Sequence, residues 1–105
     1  MIKLTSIQAL FADEKVFFTQ HFLYRIDERG ISLTDIESAV INGEIIEQYP
    51  DDSPHPSVLL LGNISCIPLH VVVGLGRNMV WLITAYYPDL EKWENDFRTR
   101  KAENK

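Results

Sequence analysis

Apolar positions recur at helical spacing through the N-terminal part of the chain and at strand spacing further on, so the pattern predicts helices first and a sheet second. In Thr5 to Glu14, Ile7, Leu10 and Phe11 share one helical face, and Asp13, Glu14 and Lys15 mark its end. Lys15 to Thr19 is short, β-branched and aromatic, and reads either as a strand or as the entry to the next helix. From Gln20 the helical period is clear. Phe22, Leu23 and Ile26 point toward a core, while His21, Arg25 and Arg29 fall within an arc of about 80° on the opposite side, with Glu28 beside them. Gly30 supplies the stop.

Ile31 to Asp35 predicts a second helix start. Ser32 can cap the backbone, Asp35 can reach back to it, and Ile31 can staple onto Ile36. Ile36, Ala39 and Val40 continue the period to Asn42-Gly43, where Gly43 is expected to close the helix in a left-handed conformation. Two short helices joined at a glycine turn suggest a helix-turn-helix, but Asp27, Glu28, Asp35 and Glu37 make the surface acidic and argue against a DNA-recognition helix.

The remainder predicts a meander. Strands are expected at Glu44 to Tyr49, Val58 to Leu61, Leu69 to Leu75 and Met79 to Tyr87, with three prolines keeping Pro50 to Pro56 a loop. Asp89 to Lys101, following Pro88, spaces Leu90, Trp93 and Phe97 as one helical face and predicts a C-terminal helix; Ala102 to Lys105 are expected to fray. The expected class is α+β, with N-terminal helices on one face of a mainly antiparallel sheet of about four strands and a helix closing the chain. If Gly76, Arg77 and Asn78 are all loop, Leu75 pairs with Met79, His70 with Thr84 and Val72 with Leu82. Leu69, Val71, Val73, Trp81, Ile83 and Ala85 would then lie under the helices, with His70, Thr84 and Tyr86 on the other face.

Composition narrows the classes. At 105 residues, with 46% hydrophobic positions, the chain has material for one core and a single domain over residues 1 to 105 is expected. The apolar run Ser57 to Gly62 is too short to cross a bilayer, and no charged-then-apolar leader is read, so neither a membrane nor export is expected. The lone Cys66 cannot form an internal disulfide, which fits a reducing cytoplasm, and it reads as a small buried residue. The net charge of −5 argues against broad nucleic-acid binding through counterion release. Ten acids against four bases lie in residues 1 to 53, a balance that suits solubility or an acidic docking surface for a basic partner.

Familiar cofactor motifs are missing. Gly74-Leu75-Gly76 is not followed by a helix, no phosphate loop occurs, and Cys66, His70, His21 and His55 lack zinc spacing, so neither a nucleotide cofactor nor a metal is expected. The group that could carry chemistry is His21, Arg25, Arg29, His70, Thr84 and Tyr86. Arginines grip phosphate oxygens through a planar fork, and a histidine titrating near neutrality can pass a proton, which together suit phosphodiester chemistry. The structural alternative gives each a plain role: arginines paired with Glu28 or Asp35, and His70, Thr84 and Tyr86 as satisfied sheet residues.

The run His21-x-x-x-Arg25-x-x-x-Arg29-Gly30-Ile31-Ser32, followed by Asp35-Ile36-Glu37, Asn42-Gly43, Tyr49-Pro-Asp-Asp52, the Pro68-Leu69-His70 strand and Thr84-Ala-Tyr86-Tyr-Pro88, resembles a small bacterial domain-of-unknown-function family over about residues 18 to 98. That family is thought to be remotely related to the RelE/ParE and BrnT toxins. The resemblance implies a RelE/ParE-toxin-like fold of helices on an antiparallel sheet, RNA or the ribosome as target, and an antitoxin-like protein as partner. It leaves two classes open. One is a toxin-type endoribonuclease in which His21 or His70 moves a proton, Arg25 and Arg29 hold the phosphate and Tyr86 orients it; the other is an interaction module that keeps the fold without the chemistry.

Overall fold

The computed structural model describes residues 1–102; the expectation for residues 103–105 lies outside them. Among the described residues the order is α1 (Leu4–Ala12), β1 (Val16–Phe17), α2 (Gln20–Glu28), α3 (Leu33–Asn42), β2 (Glu44–Tyr49), β3 (Ser57–Ile64), β4 (Ile67–Gly76) and β5 (Met79–Tyr86). The fold is α+β. Four strands form the expected antiparallel meander, and the short β1 joins as a fifth, parallel to β5, giving the order β1-β5-β4-β3-β2.

Local chemistry sets the helix ends. The Thr19 hydroxyl accepts from the Phe22 amide at 3.1 Å to open α2, and Gly30 ends it at a φ of 70°. Ser32 and Asp35 cap α3 reciprocally, at 3.0 and 3.1 Å. Gly43 departs from expectation: its backbone is extended (φ −88°, ψ −169°), not left-handed. Glycine is needed there for room, because a Cβ would sit 2.2 Å from the Ala39 carbonyl oxygen and 2.7 Å from that of Leu61.

The helices cover one sheet face. Ile7, Phe22, Ile26, Ile36, Ala39 and Val40 pack with Val58, Leu60, Leu69, Val71, Val73, Val80, Leu82 and Ala85 in one buried cluster. Two expected inward residues are missing from it. The β4–β5 turn contains only Arg77 and Asn78, both at positive φ, so Gly76 pairs with Met79 and the register is displaced by one. A bulge between Val72 and Val73 leaves Ile83 as the extra residue, and Val72 then pairs with Thr84 and His70 with Tyr86. Before the bulge Val80 and Leu82 face the helices, so Trp81 and Ile83 turn to the opposite face; after it Ala85 is inward and Thr84 and Tyr86 share the face of His70, as the sequence suggested.

No helix forms over Asp89 to Lys101. Asp89 Oδ1 accepts from the amides of Glu91 and Lys92, Asp96 Oδ1 accepts from those of Arg98 and Thr99, and Phe97 takes a φ of 57°. These side-chain bonds offer the backbone local partners that compete with a helical ladder. The segment becomes an irregular strap, closed on itself by Glu94 N to Thr99 O and Lys101 N to Lys92 O, with Trp93 buried beneath it. Cys66 is exposed, not buried, because it occupies the two-residue turn between β3 and β4. No helix among the described residues is long and apolar enough to cross a membrane.

Candidate functional site

The six residues singled out by sequence separate into an outer helix edge and a sheet group. His21 and Arg25 are exposed on α2, and Arg25 makes a loose pair with Glu28 at 3.8 Å. Among the described residues, neither bonds to the strands. Arg29, at the end of α2, does reach them: its guanidinium donates to Thr84 Oγ1 at 3.2 Å and to the Ala85 carbonyl at 2.7 Å. That carbonyl is available because β1 pairs with β5 only at Val80 and Trp81, leaving the rest of β5 as a sheet edge.

Thr84 leads along the same face to Tyr86, which is paired with His70. His70 is completely buried. Its Nε2 lies 2.7 Å from the Phe97 carbonyl oxygen in the strap, and its Nδ1 lies 3.3 Å from the Tyr86 hydroxyl. A carbonyl can only accept, so these partners assign the proton to Nε2 and let Nδ1 accept from the phenol. The Trp93 ring stands edge-on to the imidazole at 4.5 Å. Burial pushes the His70 pKa down, and this outweighs the opposing pull of the Phe97 carbonyl and Glu47.

Three further residues complete the group, and sequence reasoning missed all of them. Arg100, in the strap, holds Glu47 of β2 through two bonds, Nε to Oε2 at 2.9 Å and an Nη2 bond to Oε1 at 3.0 Å. Its guanidinium also lies 4.6 Å from the centre of the Trp93 ring. The Tyr49 hydroxyl donates to Glu47. Burial raises the Glu47 pKa, but the bonds from Arg100 and Tyr49 outweigh it and hold the carboxyl below the usual range. Burial and the neighbouring carboxylate push the Tyr49 phenol up to about 12, and burial also raises Tyr86. Arg100 acts electrostatically on Glu47, Tyr49, His70 and Tyr86, which makes it the hub of the cluster. The available signal was Arg98-x-Arg100, two bases at strand spacing, which the expected helix obscured.

A cavity of about 260 Å³ opens beside this hub, lined by Tyr86, Tyr87, Asp89, Lys92, Trp93 and Arg100. The opening is thus lined by a guanidinium, an ammonium, two phenols and the Asp89 side chain, with the Glu47 carboxylate bonded to the Arg100 guanidinium that borders it, a set able to bind an oxyanion and move a proton. Among the described residues, no three His, Cys, Asp or Glu side chains gather to hold a metal.

One family model, described as a domain of unknown function (DUF4258), matches residues 18–87, two thirds of the chain. The match spans α2 to β5 and so includes Glu47, His70 and Tyr86, while Trp93 and Arg100 lie beyond it. No curated protein and no solved structure matches the chain.

Proposed function

The chain belongs to the DUF4258 domain family, and from that premise we propose that its helix-free sheet face is a site for RNA phosphodiester chemistry, as in an endoribonuclease of toxin-antitoxin type. The observation that carries this reading is the meeting of Glu47, Tyr49, His70, Tyr86 and Arg100 on one face beside a polar opening. Cleavage of RNA by its own 2′-hydroxyl forms a bond from O2′ to phosphorus and breaks the bond from phosphorus to O5′. It needs a base for the 2′ proton, positive charge on the pentacoordinate phosphate and an acid for O5′.

Arg100 supplies the positive charge. When its guanidinium turns to a phosphate, Glu47 loses the partner that keeps its pKa low and becomes a stronger base, so substrate binding itself prepares the carboxylate. Tyr86 is the acid for O5′ on this reading: its one hydroxyl hydrogen rests on neutral His70 Nδ1 and has to turn outward to reach the leaving oxygen. Arg29 fixes Thr84 and the β5 edge, leaving His21 and Arg25 as an outer basic edge for flanking phosphates. Such a substrate, presented on ribosomes, would meet the chain in a bacterial cytoplasm, with an antitoxin-like protein as its restraint.

The test is messenger RNA incubated with purified ribosomes and the protein, read by mapping new 5′ ends. Glu47→Gln and Arg100→Ala are expected to reduce cleavage about 100-fold or more, while Arg98→Ala retains it. Messenger RNA left intact by the unaltered protein overturns the enzyme reading.

One observation favours the alternative, an interaction module without catalysis. His70 is fully buried with both ring nitrogens engaged, and Arg29 is committed to the β5 edge. On that reading the hub only pins the strap, and Arg100→Ala changes stability alone.

A further inference from the structure

Four residues along β4 from His70, at Gly74, the helix-free face carries a second feature. Strand pairing sets Tyr49, Ser57, Gly74, Trp81 and Phe17 in one row across the sheet. At the ~3.3 Å rise of a strand residue, this row is roughly 13 Å from His70. At its β5–β1 end a cleft of about 270 Å³ opens between the sheet and the loop before β3.

Its walls are flat rings. The His55 imidazole stacks on the Trp81 indole, with centres 5.1 Å apart and planes 29° from parallel, and the Phe17 ring is 4.8 Å from the same indole. The walls are also fixed. Trp81 Nε1 donates to the Gly76 carbonyl at 3.0 Å, Leu75 N donates to the Pro56 carbonyl at 3.0 Å, and the Ser57 hydroxyl donates to Asp52. At Gly76 a Cβ would lie 2.3 Å from His55 Nδ1, so a glycine is what lets the imidazole lie against the sheet. Core formation does not account for the cleft: Val80 and Leu82 fill the helix side, while Phe17 and Ile83 remain 45% and 49% exposed.

We propose that this cleft receives one base of a single-stranded RNA whose phosphate lies at Arg100, an inference that rests on the RNA reading of the same face. Flat walls and a volume suited to one ring fit a π system, and single-stranded RNA is commonly held by stacking on aromatic side chains. Charge by itself does not favour RNA, and this sets what the cleft must provide. With a net charge of −5 the chain cannot draw most of its affinity from counterion release, so stacking has to supply it. Asp52 lines the cleft and offers a carboxylate acceptor for an exocyclic amino group, as adenine presents.

The probe is a six-nucleotide oligoadenylate, with ribose 5-phosphate as the control that keeps a sugar phosphate and lacks the base. Binding is followed by the indole N–H resonances of Trp81 and Trp93 and by anisotropy of labelled RNA. Oligoadenylate is expected to shift Trp81, and ribose 5-phosphate is not. Phe17→Ala and His55→Ala are each expected to weaken oligoadenylate binding about tenfold, within the range found for removing a stacked base contact, without changing ribose 5-phosphate binding.

Unchanged affinity in both variants overturns the inference, as does a Trp81 resonance that responds to a phenylalanine-containing peptide and not to RNA. The shift in the unaltered protein is read without any variant, so a misfolded Phe17→Ala leaves the test intact. Messenger cleavage without base stacking sinks this inference alone. Stacking without cleavage sinks the enzyme reading alone.

Discussion

Beneath the helices the sheet presents Val58, Leu60, Leu69, Val71, Val73, Val80 and Ala85, all fully buried and all apolar. On the opposite face equally complete burial falls on Ser57, Leu59 and His70, beside Glu47, Tyr49 and Tyr86, and the cover has no regular structure: the strap holds His70, and the loop before β3 holds Ser57. The first face is held by non-directional packing, in which any well-fitting apolar group serves. The second depends on particular bonds: His70 to Phe97, Glu47 to Arg100, Ser57 to Asp52. Removing one partner there leaves a polar group to be satisfied, so its residues are less replaceable and its cover easier to detach.

The largest effect expected from this contrast is in the helix-covered core. Leu60→Ala should cost about 2 to 5 kcal/mol through lost burial and the cavity left behind. Ile83, pushed outward by the β5 bulge, should cost less than about 1 kcal/mol when changed to Ala. Chemical denaturation of the two variants measures both. Equal losses would mean that Ile83 faces inward and that the division of β5 between the faces is wrong.

The two faces also differ in how far the sequence discloses them. Helical and alternating periods were enough for α2, α3, the meander and most of the helix-covered core, because burial repeats with the backbone's own period. The same arithmetic failed at Trp81 and Ile83, since one bulge changes the parity of a strand and no residue type announces it. It failed again over Asp89 to Lys101, where two aspartates diverted the backbone bonds. Of the candidate site, His70, Thr84 and Tyr86 were legible from strand alternation, and Arg29 from the helix. Glu47 and Arg100 lie 53 positions apart and meet only through the strap, a contact that no local period encodes.

A pH series sharpens the comparison, because only the strap-covered face buries a titratable ring. Burial lowers the His70 pKa in the folded protein, so below its unfolded value of about 6.5 the unfolded chain binds more protons. Stability is therefore full above pH 6.5 and falls as the pH drops through the window beneath it, by at most about 1.4 kcal/mol per pH unit. Glu47, also lowered, adds a loss of the same sign at more acid pH. His70→Gln should be less stable at neutral pH and should lose the slope just below 6.5, as read by urea denaturation between pH 7.5 and 5. An unchanged slope would place the responsible proton elsewhere.

The smallest effects separate the two anchors of the strap itself. Arg100 meets a Glu47 side chain only 22% exposed and also covers Trp93, whereas Arg98 and Glu44 are each about half exposed. Arg100→Ala loses two charge-assisted bonds and its packing on the indole, a cost of about 1 kcal/mol after allowance for solvent. Arg98→Ala should stay within about 0.5 kcal/mol, and its effect should vanish in concentrated salt. Trypsin gives an independent readout, since the exposed Lys92 is held by its carbonyl bond from Lys101 N and a loosened strap frees its backbone to enter a protease: cleavage there should quicken in Arg100→Ala and remain near the unaltered rate in Arg98→Ala. If both variants are cut equally fast, the strap is held along its whole length and the hub at Glu47 has no special hold on it. If only Arg100→Ala is cut faster, the residue that would grip an RNA phosphate is also the one that keeps the face covered, and phosphate binding would then loosen the strap.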